Sequence, residues 1–176
     1  MSNIAVVTRA DARGMITLRG DLGSAKIKKA VKAATGQKMP VSGQFLGDGT
    51  QGVAWMSPDE LLLIVPYDSV GTSIEGLNKA LVKTHFLTVD VSDARAVFTV
   101  SGDGARDVLA RLCPVDLHPD SFGVGQARRT RLAQIAAAFW MHEGGLDVVC
   151  FRSVADYAHG VLTRAATTGD KTGFFA

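Results

Sequence analysis

The 176-residue chain predicts an α+β fold in which a strand–helix–strand unit is written twice. Three observations carry this reading. The stretch "WMSPDELLLIV" from Trp55 and the stretch "WMHEGGLDVVC" from Trp140 align without a gap, and they hold the chain's 2 Trp. Leu61 then falls on Leu146, Leu63 on Val148 and Ile64 on Val149. Upstream of each lies an alternating run that ends in Gly-Asp: "GMITLRGD" (14–21) and "AVFTVSGD" (96–103). Between run and Trp, apolar residues recur at helical spacing.

In chain order, the alternating runs predict half-buried strands, since side chains on a strand point to opposite faces in turn. The helix after the first run shows Ile27, Ala30, Val31 and Ala34, and the helix after the second shows Ala105, Val108, Leu109 and Leu112. Both sets put four apolar residues on one stripe. Ser24 and Asp103 are placed to cap these helices at their starts. Gly36 and Pro114 are placed to stop them. Each Trp stretch predicts strand, turn, strand. Ser57-Pro58-Asp59-Glu60 suits a type I turn, and His142-Glu143-Gly144-Gly145 takes the same place. A further helix follows each hairpin, marked by Val70, Ile74, Leu77 and Leu81, then by Val154, Ala158, Val161 and Ala165, at a constant offset of 84. "HFLTVDV" between the halves predicts a strand, and "SDAR" after it a turn.

The expected organisation is a single domain over residues 1–176 with pseudo-repeats at about 10–83 and 90–166. Each half alone would bury too little surface to be stable. Two sheets packed pseudo-symmetrically around one core, with helices outside, is the expected arrangement. Trp55 and Trp140 should be equivalent core or sheet-packing residues. The tail, residues 167–176, is expected to be mobile, with docking of Phe174-Phe175 as the alternative.

Composition bounds the function. Apolar residues make up 47% and charged residues 20%, a globular balance that argues against disorder. The net charge of +2 is too small to imply a nucleic-acid or membrane partner. Lys26, Lys28, Lys29 and Lys32, and Arg128, Arg129 and Arg131, read as solvated faces. The N-terminal stretch lacks a secretory pattern, and the apolar runs are too short to span a bilayer, so a cytoplasmic location is expected.

No self-contained catalytic cluster emerges. His85, His118, His142 and His159 show no i, i+4 pair for a metal, and no metal site is expected. Cys113 precedes His118 in "CPVDLH"; a thiolate–imidazole pair is the sharp reading and a core cysteine the preferred one. Cys150 sits beside Val148 and Val149 and reads as core. "LGDGTQG" (46–52) lacks the Lys and the strand-to-helix context of a phosphate cradle. Asp90 is the carboxylate that stands out, in the otherwise apolar "TVDVSDA", because an unpaired carboxylate there is costly. The alternative is that Asp90 points outward or caps a turn.

"VDVSDARAVFTVSGDGARDVLARLCPVDLHPDSF" (89–122) resembles the folate-binding domain of the glycine-cleavage T-protein superfamily. There Asp-Val-Ser-His is followed by a strand ending in Gly, an apolar helix and an aspartate-leucine loop. Within that superfamily the chain, over roughly residues 10–165, is similar to the gamma subunits of heterotetrameric sarcosine oxidases, most specifically in "CPVDLHPDSFGVGQARRTRLAQIAAAFW". The resemblance implies a T-protein-like fold that is itself an internal duplication. It implies an accessory, structural subunit of an oxidoreductase complex that turns sarcosine into glycine, with peroxide and methylenetetrahydrofolate made by partner subunits. It implies alpha, beta and delta partners, and FAD, FMN, NAD, zinc and tetrahydrofolate held elsewhere in the complex. Asp90 matches the aspartate that the T-protein places at folate and is the cofactor-binding candidate. The His that follows the Ser in the T-protein pattern is Asp93 here, which argues against free-standing aminomethyl transfer. A folate-binding module acting alone is the competing reading, and a thiol enzyme built on Cys113 and His118 is a third.

Overall fold

Alternating and apolar runs become strands where the sequence predicts them. The computed structural model describes residues 3–48, 50–167 and 171–175. The chain runs through β1 (Val6–Arg9), β2 (Gly14–Gly20), α1 (Ala25–Thr35), β3 (Phe45–Gly47), β4 (Gly52–Ser57), β5 (Glu60–Val65), α2 (Val70–Ala80) and β6 (Phe86–Asp90). It continues through β7 (Arg95–Ser101), α3 (Ala105–Ala110), β8 (Ala127–Leu132), β9 (Ile135–His142), β10 (Gly145–Phe151) and α4 (Ala155–Thr167). Its contacts divide it into two compact units. The first is Ala12–Asp93; the second joins the residues up to Asp11 to those from Ala94 onward.

The first unit has a five-stranded antiparallel sheet in the order β3-β4-β5-β2-β6. Ile16, Leu18, Leu61, Leu63 and Val65 on one face pack with Ile27 and Val31 of α1 and with Val70 and Leu77 of α2. Met15, Leu62 and Ile64 point to the other face and are buried as well. Burial on both faces explains why β5 reads as the unbroken run "LLLIV" rather than as an alternation. Gly36 closes α1 in the left-handed region, at φ 72°, with its N–H donating to the Lys32 carbonyl. Lys26, Lys28, Lys29 and Lys32 all stand in solvent on the outer face of α1.

The second unit has a five-stranded antiparallel sheet in the order β8-β9-β10-β7-β1. Phe98, Val100, Leu146, Val148 and Phe139 pack with Val108 and Leu109 of α3 and with Ala158 and Leu162 of α4. The outermost strand is β1, which pairs antiparallel with β7 from Val6↔Ser101 to Arg9↔Phe98. Sequence reading passed over β1, because "VVTR" is four residues long and too short to show a period.

Several expectations need correction. Each unit has its own cluster of buried apolar residues, formed by its sheet and the pair of helices that covers one face of it. Ser24 stands at the start of α1 but makes no side-chain capping bond. The residue at the start of α3 is Gly104, and Asp103, next to it, instead meets Lys171 Nζ at 3.2 Å. The predicted linker strand is β6 and belongs to the first unit's sheet. Of the tail expected to be mobile, residues 168–170 and 176 lie outside the described residues. Thr172 donates its N–H, at 2.8 Å, and its hydroxyl to buried Asp107, and Phe175 packs against the second unit's core.

The two Trp are not equivalent. The turns match, since Ser57 pairs with Glu60 and His142 with Gly145. The β4–β5 register then shifts between Trp55 and Ser57. Beyond that bulge Trp55 pairs with Leu61, whereas the partner of Leu146 is Met141. One extra residue turns every later side chain to the opposite face. Trp55 therefore lies half-buried on the helix side, and Trp140 is fully buried on the other face of its sheet.

Candidate functional site

Two cavities are prominent. In the first unit, a groove of about 270 Å³ runs between α1 and α2 over Ala30, Ala33, Thr72, Gly76 and Ala80. Its lining is uncharged, with the hydroxyls of Thr72 and Ser73 as its polar side chains. In the second unit, a cavity of about 420 Å³ opens at the β9–β10 turn, with Asp103, Arg106, Met141, His142 and Glu143 on its walls. The turn there is tight. Gly145 sits at φ +139°, and a Cβ on it would come within 2.5 Å of the Val100 carbonyl oxygen.

His142 is the titratable side chain best placed in that cavity, but it faces inward. Its Nδ1 accepts the Gly144 N–H at 3.0 Å. In the neutral ring the proton then sits on Nε2, which lies 3.4 Å from Oδ1 of Asp147. Asp147 is fully buried in the middle of β10 and accepts the Thr99 hydroxyl at 2.6 Å, while His142 Nε2 stands near it without a hydrogen bond. A buried carboxylate needs such partners. Arg106 is likewise engaged: Nη1 donates to the carbonyls of Leu117 and Phe122 at 2.6 and 2.7 Å, clamping the loop after α3. Its desolvation lowers the pKa of the guanidinium. Arg106 and the Nδ1 of His142 are thus bonded within the fold, while Glu143 on the same wall is exposed.

Asp90 ends β6 and is exposed. Its Oδ1 accepts the Ser92 N–H at 2.9 Å and the Ser92 hydroxyl at 2.5 Å. Ser92 Oγ in turn accepts the Met15 N–H at 2.9 Å, so the pair ties the end of β6 to the start of β2. Asp93 accepts the Tyr67 hydroxyl at 3.1 Å. Asp90 lines neither cavity.

Cys113 is a core residue, and burial pushes its thiol up to about 12. A thiol held neutral at physiological pH is no nucleophile. His118 is turned to its own loop, where Nδ1 accepts the Asp120 N–H at 3.3 Å. Cys150 is also buried, and desolvation raises its pKa too. Among the described residues, no three His, Cys, Asp or Glu side chains gather as a metal site requires.

Sequence reading missed Asp147 and Asp107. The signal for Asp147 was present: "GLDVVC" places a carboxylate in an apolar strand just as "TVDVS" does. Asp107 gave none, since an acid in the first turn of a helix is ordinary.

The family model described as the sarcosine oxidase gamma subunit family matches residues 19–168. A sarcosine oxidase subunit gamma from a Corynebacterium species, strain U-96, is 37% identical over 130 residues, which cover 72% of this chain and 60% of that protein. The match thus spans less than two thirds of that relative's length. Among solved structures, the heterotetrameric sarcosine oxidase of Corynebacterium sp. U-96, in complex with pyrrole 2-carboxylate, holds a chain that superposes with a TM-score of 0.83 at 30% identity, covering 98% of this chain and 86% of that one. The glycine cleavage system aminomethyltransferase T of Bartonella henselae matches with a TM-score of 0.65 at 13% identity, covering 91% of this chain and 45% of that one, a likeness of fold. With two sheets matched over nearly its whole length, and a family model covering most of its sequence, the chain belongs to the sarcosine oxidase gamma subunit family.

Proposed function

We propose that the chain is an accessory, structural subunit of a heterotetrameric sarcosine oxidase. In this reading sarcosine is oxidised on partner alpha, beta and delta subunits, which also hold FAD, FMN, NAD, zinc and tetrahydrofolate. The observation that carries it is the superposition, over 98% of this chain, on a chain of such a heterotetramer. Two features support it. In the larger cavity Arg106 donates to the carbonyls of Leu117 and Phe122 and so serves the fold. Large apolar side chains stand in solvent at Val82, Leu87 and Val89, as expected of a surface that meets another chain.

On this reading Asp90 closes a turn, and no step of folate chemistry is assigned to it. The two units are copies of one ancestral unit, supported by their identical strand order. The protein works in the cytoplasm; among the described residues no helix is long and apolar enough to cross a membrane.

The test is an affinity purification of the tagged chain from its host, with the visible spectrum recorded. Flavin absorption together with two large chains and one small chain is the expected result. A colourless single chain overturns the proposal. Titrating the purified chain with tetrahydrofolate should give no binding; saturable binding that Asp90→Ala abolishes would favour the free-standing folate module.

A further inference from the structure

We propose that β6 is the docking edge for an extended segment of a partner subunit, which joins the first unit's sheet as an added antiparallel strand. This rests on the accessory-subunit reading and names the surface it requires. The two sheets end in four edge strands: β3 and β6, β8 and β1. An edge strand offers unpaired N–H and C=O groups to any passing chain, and folded proteins blunt such edges. Three of the four are blunted here. β3 is three residues long and ends in glycine. β8 carries Arg128, Arg129 and Arg131. β1 is four residues long, ends in Arg9 and exposes one large apolar side chain, Val6.

β6 is the least blunted of the four: among its 5 residues the one charge is Asp90, at its end. It contains no Pro, Lys or Arg, and its register against β2 runs unbroken from Gly20↔Phe86 to Ile16↔Asp90. Phe86 packs into the core and Thr88 donates to Asn78 of α2 at 2.7 Å, so one face of the strand is fixed by α2. The other face carries Leu87, 50% exposed, and Val89, 40% exposed. An edge in unbroken register with two exposed apolar side chains on one face fits strand addition, in which backbone bonds give affinity and alternate side chains give selectivity. Lys83 stands exposed before the strand and Asp90 at its end. The matching segment has alternate apolar residues, a basic residue beside Asp90 and an acidic one beside Lys83. A partner subunit is the occupant because the matched assembly is a heterotetramer.

The experiment co-expresses the chain with its three partner subunits and compares wild type with the Leu87→Lys/Val89→Lys double variant and with Val6→Lys. Wild type and Val6→Lys should assemble alike, while the double variant binds about tenfold more weakly or worse, since two lysines are set into an apolar contact. Hydrogen exchange of wild type gives a second readout that needs no variant: amides of residues 86–90 should slow on assembly by about tenfold or more. Assembly of wild type with equal assembly of a folded double variant, or unchanged exchange at β6, overturns the docking edge alone. Failure of wild type to assemble overturns the accessory-subunit reading. A wild-type homodimer lost in the double variant would make a second copy the occupant and overturn the proposal as stated.

Discussion

The two units keep their strands in the same order and fill them differently. In the first, the middle of the hairpin's second strand is Leu62, paired across to Ala54 and Thr17. In the second, the same place is Asp147, paired across to Trp140 and Thr99. The first unit's interior is apolar at that point. The second holds a carboxylate bonded to a Thr hydroxyl, with a His ring nearby and a tryptophan beside it. The outermost strand also differs in origin, coming from the end of the first unit's own sequence in β6 and from the N-terminal residues in β1. Apolar pattern and turn position are shared by the two units, and the identity of single residues within them is not.

The largest effect should come from the tryptophans. Trp140→Ala removes a fully buried side chain from a sheet face and should cost about 4 kcal/mol of stability. Trp55→Ala removes a half-buried one and should cost about 1.5 kcal/mol. Urea unfolding of the two variants decides the matter, and equal losses would mean that the bulge does not separate the two sites. In native protein the fluorescence of Trp55→Phe, which leaves Trp140 as the emitter, should peak at shorter wavelength than that of Trp140→Phe.

That pair also shows what the sequence holds and what it hides. Helix stripes such as Ile27, Ala30 and Val31 were legible because four residues vote for one period. Hairpin turns were legible because Pro58 and Gly145 each answer a backbone demand. The bulge was not, because inserting Met56 leaves the word "WM" intact while the pairing slips by one. Nor was β1, which has too few residues to vote. In the candidate site, a strand carboxylate could be recognised as unusual at Asp90, and the same argument applied to Asp147. Which of the two is buried depends on sheet order: β6 is an edge, and β10 lies between β7 and β9. Strand order is a tertiary fact that a local pattern does not encode.

A second pair tests that distinction directly. Asp147→Ala leaves the Thr99 hydroxyl without its buried acceptor and should cost about 3 kcal/mol. Asp90→Ala removes two hydrogen bonds at an exposed turn and should cost about 1 kcal/mol. Thermal unfolding of both variants orders them, and a reversed order would mean that the turn at Ser92, not the buried carboxylate, anchors the structure.

The thiols separate the units by pH. Both cysteines, Cys113 and Cys150, lie in the second unit, and both are held as neutral thiols by burial. For Cys113 the folded value, about 12, lies above the unfolded one, near 8.5. The folded state thus keeps a proton that the unfolded chain releases. The stability this confers is complete below about pH 8.5 and is lost as pH rises towards 12. Cys113→Ala should flatten the alkaline limb of a stability–pH curve while lowering its plateau. At pH 8 neither thiol should react with a thiol reagent before unfolding, and rapid labelling of native protein would contradict the burial.

The smallest effect belongs to the first unit and has the opposite sign. Asp48 accepts the Thr50 hydroxyl at 2.7 Å, the Gln51 N–H at 3.0 Å and the Thr50 N–H at 2.9 Å, and these bonds hold its carboxyl down at about 2. The unfolded value is near 3.9, so the folded state releases a proton that the unfolded chain still holds. The stabilisation is present above about pH 4 and is lost as pH falls towards 2. The loop is open to water, so screening keeps the term below about 1 kcal/mol. Asp48→Asn should therefore shift the plateau slightly and remove part of the acid limb, leaving the alkaline limb untouched. A change in the alkaline limb instead would mean that Asp48 is not the group behind the acid limb.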